Sequence, residues 1–133
     1  MIASILWPAM ESAADRLAQF MASLDGEVRE VAPGEWGLAL EAAGYALDVG
    51  VAIRGNLLRA QAAVMPAGLI DPHQLLYWNR QAPLVCFAEN QAGEVFVCGE
   101  LPLESLSTET IDRFLGLLLA SALRAREFVI HPG

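Results

Sequence analysis

The chain has 133 residues, within the usual size of one domain and enough to close a single core, so one α+β domain spanning 1–133 is expected, with 1–7 and 130–133 as tails. With 55% hydrophobic and 18% charged residues, against roughly 45–50% and about 25% in ordinary domains, it carries more apolar side chain than a monomer needs, leaving some for a partner. Eight Lys and Arg against sixteen Asp and Glu give a formal charge of −8 with no basic stripe, which argues against nucleic acid and anionic lipid as partners.

Met1 to Trp7 is apolar but lacks the basic flank and small-residue cleavage site of a secretory signal, and every apolar run falls short of the roughly 20 residues that span a membrane. A cytoplasmic location is the expectation. Met10, Ala13, Ala14, Leu17, Phe20, Met21 and Leu24 recur at three- and four-residue steps, predicting a helix from Pro8 to Leu24 with Gly26 as a left-handed cap. The period then changes to two. Tyr45, Leu47, Val49, Val51 and Ile53 alternate with small or polar residues, and Trp36 to Leu40 and Leu58 to Val64 flank them across Ala43-Gly44 and Gly55-Asn56, predicting a three-stranded antiparallel meander. Glu27 to Ala32 either adds a short strand or leads into the first.

Asp71-Pro72 supplies an N-cap and a proline at the first helical position, opening a short helix to Gln81 that stops before Pro83. Leu75, Leu76, Trp78 and Asn79 share one arc of its wheel while His73 and Tyr77 point away, so Asn79 needs partners, most cheaply backbone groups where the helix ends. Leu84 to Glu89 and Glu94 to Leu101 flank Asn90-Gln91-Ala92-Gly93 as a second hairpin, with Cys86 opposite Cys98 or one residue off it. The plain reading of these cysteines is two small reduced residues in a sheet, with a redox pair as the alternative. Ser107 then caps a helix from Thr108 to Phe128, whose main apolar face is Ile111, Phe114, Leu115, Leu118, Ala122 and Ala125, with Arg124 and Arg126 in the last turn to suit its carbonyl end.

Residues able to carry catalysis are few. His73 reads as an exposed helix residue, His131 lies in the tail, and Glu11 with Asp15 reads as a solvated face; no phosphate loop, nucleophile elbow or metal-ligand spacing is present. No enzyme activity and no cofactor or metal are therefore expected. The aromatics say more. Trp36 and Trp78 read first as core, Trp7 and Tyr77 as exposed contacts.

The order helix, three strands, helix, two strands, helix, with Leu75-Leu76-Tyr77-Trp78-Asn79 before a hairpin and then Leu101-Pro102-Leu103-Glu104-Ser105-Leu106-Ser107, resembles the type III secretion chaperone-like superfamily. That superfamily takes in the class I secretion chaperones and the YbjN-like sensory-transduction regulators. The resemblance implies an antiparallel sheet with helices, commonly homodimeric, that holds a protein client or serves in regulation. The expectation is thus a non-catalytic homodimer binding a protein partner. Its interface should draw on the second helix and the hairpin Leu84 to Leu101, with Leu75, Tyr77, Trp78, Phe87 and Trp7 as partner-binding residues. If Trp78 fills the monomer core, Tyr77 and the hairpin edge must carry the contact. The alternative is a small enzyme or small-molecule-binding protein using the sheet cleft.

Overall fold

The computed structural model describes residues 12–24 and 27–131. Helix α1 runs over Ala13–Ser23. It begins five residues later than the proline at position 8 implies, because extended Ser12 accepts the Asp15 N–H on its side chain at 3.1 Å and so caps the helix. Leu24 closes it in extended backbone; the expected caps at Pro8 and Gly26, and the segment Met1 to Trp7, lie outside the described residues.

Six antiparallel strands follow: β1 (Glu27–Ala32), β2 (Glu35–Ala42), β3 (Tyr45–Arg54), β4 (Leu57–Met65), β5 (Val85–Glu89) and β6 (Val95–Pro102). Their order in the sheet is β1-β2-β3-β4-β6-β5. Glu27 to Ala32 is thus a strand of its own, paired with β2 and bulged between Glu30 and Ala32. The turn from β2 to β3 places both Ala43 and Gly44 at positive φ, the geometry that matches strand twist in a two-residue hairpin. Between β4 and β5 lies helix α2 (Pro72–Asn79), and after β6 a single 3₁₀ turn, Leu103–Ser105, leads into helix α3 (Thr108–Ile130). A reciprocal pair of bonds between Ser107 and Thr110 starts α3, which runs two residues past Phe128.

Period-two alternation sends the large side chains to one face of the sheet. The row Trp36, Val51, Ala60, Gly99 and Val85 and the row Leu38, Val49, Ala62, Val97 and Phe87 lie beneath Leu17, Phe20 and Met21 of α1 and Ile111, Phe114 and Leu118 of α3. Phe114, wholly buried, enters because Gly99 has no side chain: a Cβ there would lie 2.6 Å from both the Leu84 carbonyl oxygen and the Phe114 ring. Losing a ring buried like this costs about 3–5 kcal/mol.

Arg126 departs from the expectation. It reaches off α3 instead of serving the helix's own carbonyl end, donating from Nε to Val64 O at 2.9 Å and from Nη1 to Ala42 O and Tyr45 O, both at 3.1 Å. The guanidinium ties α3 to the turn between β2 and β3 and to the end of β4, where partial burial lowers its pKa. Among the described residues no helix is long and apolar enough to cross a membrane.

Candidate protein-contact site

Helix α2 lies at the β5 end of the sheet, and its sequence dictates how it sits. Asp71 Oδ1 accepts the His73 N–H at 3.0 Å, Pro72 follows, and the chain leaves the helix before Pro83 through Gln81 and Ala82 N–H groups bonded to Trp78 O. Leu75 and Trp78 face inward. The Trp78 ring meets Phe87 at 5.8 Å and Phe128 edge-on at 5.2 Å between centroids, with the Arg124 guanidinium 4.7 Å over its own centroid. One indole thus joins α2, β5 and the end of α3.

Asn79 completes the attachment. Its Nδ2 donates to Phe87 O at 3.1 Å and its Oδ1 accepts the Phe87 N–H at 2.7 Å, so a side-chain amide takes the place of a neighbouring strand. The partners are backbone groups, as the apolar setting requires, but they belong to β5 and not to the end of α2.

Three of the five residues expected at a partner surface are core residues: Leu75, Trp78 and Phe87 are 3%, 4% and 7% exposed. Leu75 and Trp78 lie three apart on the stripe that faces the body of the protein, and Phe87 shares the inward parity of Val85. Tyr77 is 52% exposed, in accord with its place off the arc, while Trp7 lies outside the described residues. Leu76 was expected on the apolar arc and is instead exposed, because so short a helix meets its support along a narrow stripe. Leu84, which leaves Pro83 at φ +66°, and Phe128 are also exposed. Tyr77 and Phe128, with Gln74, Arg124, Glu127 and His131, border a hollow of about 570 Å³ floored by Trp78.

The other face of the sheet is uncovered by any described element. Gly37, Ala39, Gly50, Ala52, Gln61, Ala63, Cys86, Ala88 and Cys98 point to it, and Arg54 with Glu35 and Arg59 with Glu100 form ion pairs at one side. A concavity of about 620 Å³ lies there. Burial, and then the neighbouring Cys86, pushes the Cys98 thiol up to about 11. His73, His131 and Asp15 are all exposed, and Glu11 lies outside the described residues. Among the described residues no three His, Cys, Asp or Glu side chains gather as a metal site.

Sequence reasoning overlooked the structural role of Arg126 and the contribution of Leu76, Leu84 and Phe128 to exposed apolar surface. The first had a signal: Leu118, Ala122 and Arg126 fall four apart, which puts an arginine on the buried stripe of α3. The others had none, since their exposure depends on how far α2 and α3 overlap.

A six-stranded antiparallel sheet backed by helices on one face, with a short helix at its β5 edge, is the type III secretion chaperone-like fold. The chain belongs to the YbjN family, described as "Putative bacterial sensory transduction regulator", which matches residues 13–131. It is similar in structure to a chain of the HopA1–SchA chaperone–effector complex, at TM-score 0.63 and 14% identity over 96% of this chain and 98% of that one. A similar likeness holds for a chain of the Yersinia pestis secretion chaperone SycH in complex with a stable fragment of YscM2, at TM-score 0.60 and 16% identity over 85% and 98%. YbjN from E. coli gives TM-score 0.59 and 19% identity over 84% and 90%. No curated protein sequence matches the chain closely enough to count as a relative.

Proposed function

We propose that the chain is a non-catalytic, cytoplasmic protein-binding domain that pairs with a second copy through the α2 end and engages a protein partner in that form. The observation that carries this is the apolar surface of α2 and the end of α3: Leu76, Tyr77 and Phe128 are among the eight large apolar side chains exposed in the described residues, and Phe128 lines the same hollow as Tyr77. A tyrosine beside a hollow floored by tryptophan is the kind of anchor that dominates interfaces. The family membership and the chaperone–effector complexes among similar structures support a protein as the partner. The hollow on the open sheet face opens to solvent and holds two thiols beside charges already paired with one another, which is not the convergent set of acid, base and nucleophile that a substrate cleft needs.

Light scattering coupled to size exclusion tests the pairing. At low micromolar concentration the expected mass is about twice the 14.3 kDa of the chain, for an interface of roughly 1,200–2,000 Å². A mass near 14.3 kDa at that concentration overturns it.

A further inference from the structure

Cys86 and Cys98 are the two cysteines of the chain, and the register sets them directly opposite each other on β5 and β6. Their sulfurs are 3.9 Å apart, and the Cys98 thiol points to the Cys86 carbonyl oxygen at 3.7 Å. Directly paired residues of antiparallel strands have Cα atoms about 4.5–5.5 Å apart, inside the roughly 4.4–6.8 Å that a disulfide spans. Opposed Cβ atoms stand about 4.5–5.5 Å apart against roughly 3.5–4.5 Å in a disulfide, so side-chain rotation together with a small approach of β5 to β6 brings the sulfurs to bonding distance. Both line the concavity on the uncovered face, so a small reagent reaches them from solvent.

We propose that Cys86 and Cys98 form a reversible dithiol–disulfide site whose co-substrate is a low-molecular-weight disulfide such as glutathione disulfide. The exposed Cys86, as thiolate, attacks one sulfur of the reagent; the Cys86–glutathione bond forms, the reagent's S–S bond breaks, and one glutathione thiolate leaves. Cys98 then gives up its proton to solvent and attacks the Cys86 sulfur, releasing the second glutathione. Two thiols and one glutathione disulfide become one protein disulfide and two glutathione molecules, so the two electrons lost by the cysteines go to the reagent. The order follows from the environments: Cys86 is exposed, whereas Cys98 is half-buried with its thiol held up at about 11, which suits a resolving group activated only at close range. The resulting bond staples the edge strand β5 to β6 on the face turned away from α2.

The test equilibrates the full chain with glutathione and glutathione disulfide over a range of ratios, quenches with acid, alkylates under denaturing conditions and counts blocked thiols by intact mass. The expected result is concerted loss of both alkylation sites, with the fully protected mass on a non-reducing gel unchanged from that of one chain. Two variants make the order visible. Cys98→Ser should accumulate a stable glutathione adduct on Cys86, and Cys86→Ser should react at least ten-fold more slowly. Two alkylatable thiols at every ratio, a disulfide linking two chains, or equal reactivity of the two variants would each overturn the proposal.

Discussion

At the β5 edge of the sheet the Asn79 amide closes the main-chain positions of Phe87, and Trp78 holds α2 in place. At the β1 edge no described element pairs with the strand; instead Glu27, Arg29 and Glu30 stand exposed, and a bulge turns out Val31. The first edge is covered by structure and ends in apolar surface, while the second is guarded by charge and irregularity, two established ways of keeping a strand from pairing at random. The two edges thus differ in what they offer a second copy of the chain, and the proposed contact at the α2 end can be tested against the β1 edge.

Removing the indole that joins α2, β5 and α3 should have the largest effect. Trp78→Ala is expected to cost about 3–5 kcal/mol in urea unfolding, with loss of the proposed dimer because α2 no longer has a fixed seat. Gly99→Ala comes next, at about 1–3 kcal/mol, since the new Cβ meets the Leu84 backbone and the Phe114 ring beneath β5. Asn79→Leu keeps the volume but strands the Phe87 N–H and C=O; a loss of about 1–3 kcal/mol should accompany faster hydrogen exchange at the Phe87 amide. Tyr77→Glu should instead leave stability within about 0.5 kcal/mol, Tyr77 being exposed, and yet dissociate the proposed dimer, as seen by the drop in scattering mass with an unchanged circular dichroism spectrum. On the opposite edge, Glu30→Ala is expected to change neither stability beyond about 0.5 kcal/mol nor the mass.

How legible each region was in the sequence follows the same division. Strands β2 to β4 and the hairpin of β5 and β6 could be read because one face of each is buried and the period of two is kept over many residues, as from Tyr45 to Ile53. Strand β1 could not be assigned, since an edge strand buries little: of its six residues only Val28 and Ala32 are half-buried, so hydrophobic alternation fades. The start of α1 was misplaced for a different reason. Apolar spacing continues through Met10, and Pro8 suits a first turn, but the hydroxyl of Ser12 offers the nearer cap. At the α2 end three of the side chains expected at a partner surface are buried. Leu75, Trp78 and Phe87 are large and apolar whether they hold the domain together or bind a partner, and only the packing of α2 against β5 and α3 separates those uses. Tyr77 could be read correctly because it sits off the apolar arc by helical geometry alone.

The central claim, that copies of the chain meet at the α2 end and not at the open edge, is tested most directly by hydrogen exchange measured at two concentrations, one below and one above the dimer dissociation constant. The amides from Leu76 to Leu84 and those around Phe128 should gain protection at the higher concentration, while Val28 to Ala32 exchange at the same rate in both. Protection gained along Val28 to Ala32, with the α2 segment unchanged, would mean that the copies pair edge to edge through β1, and would contradict the account.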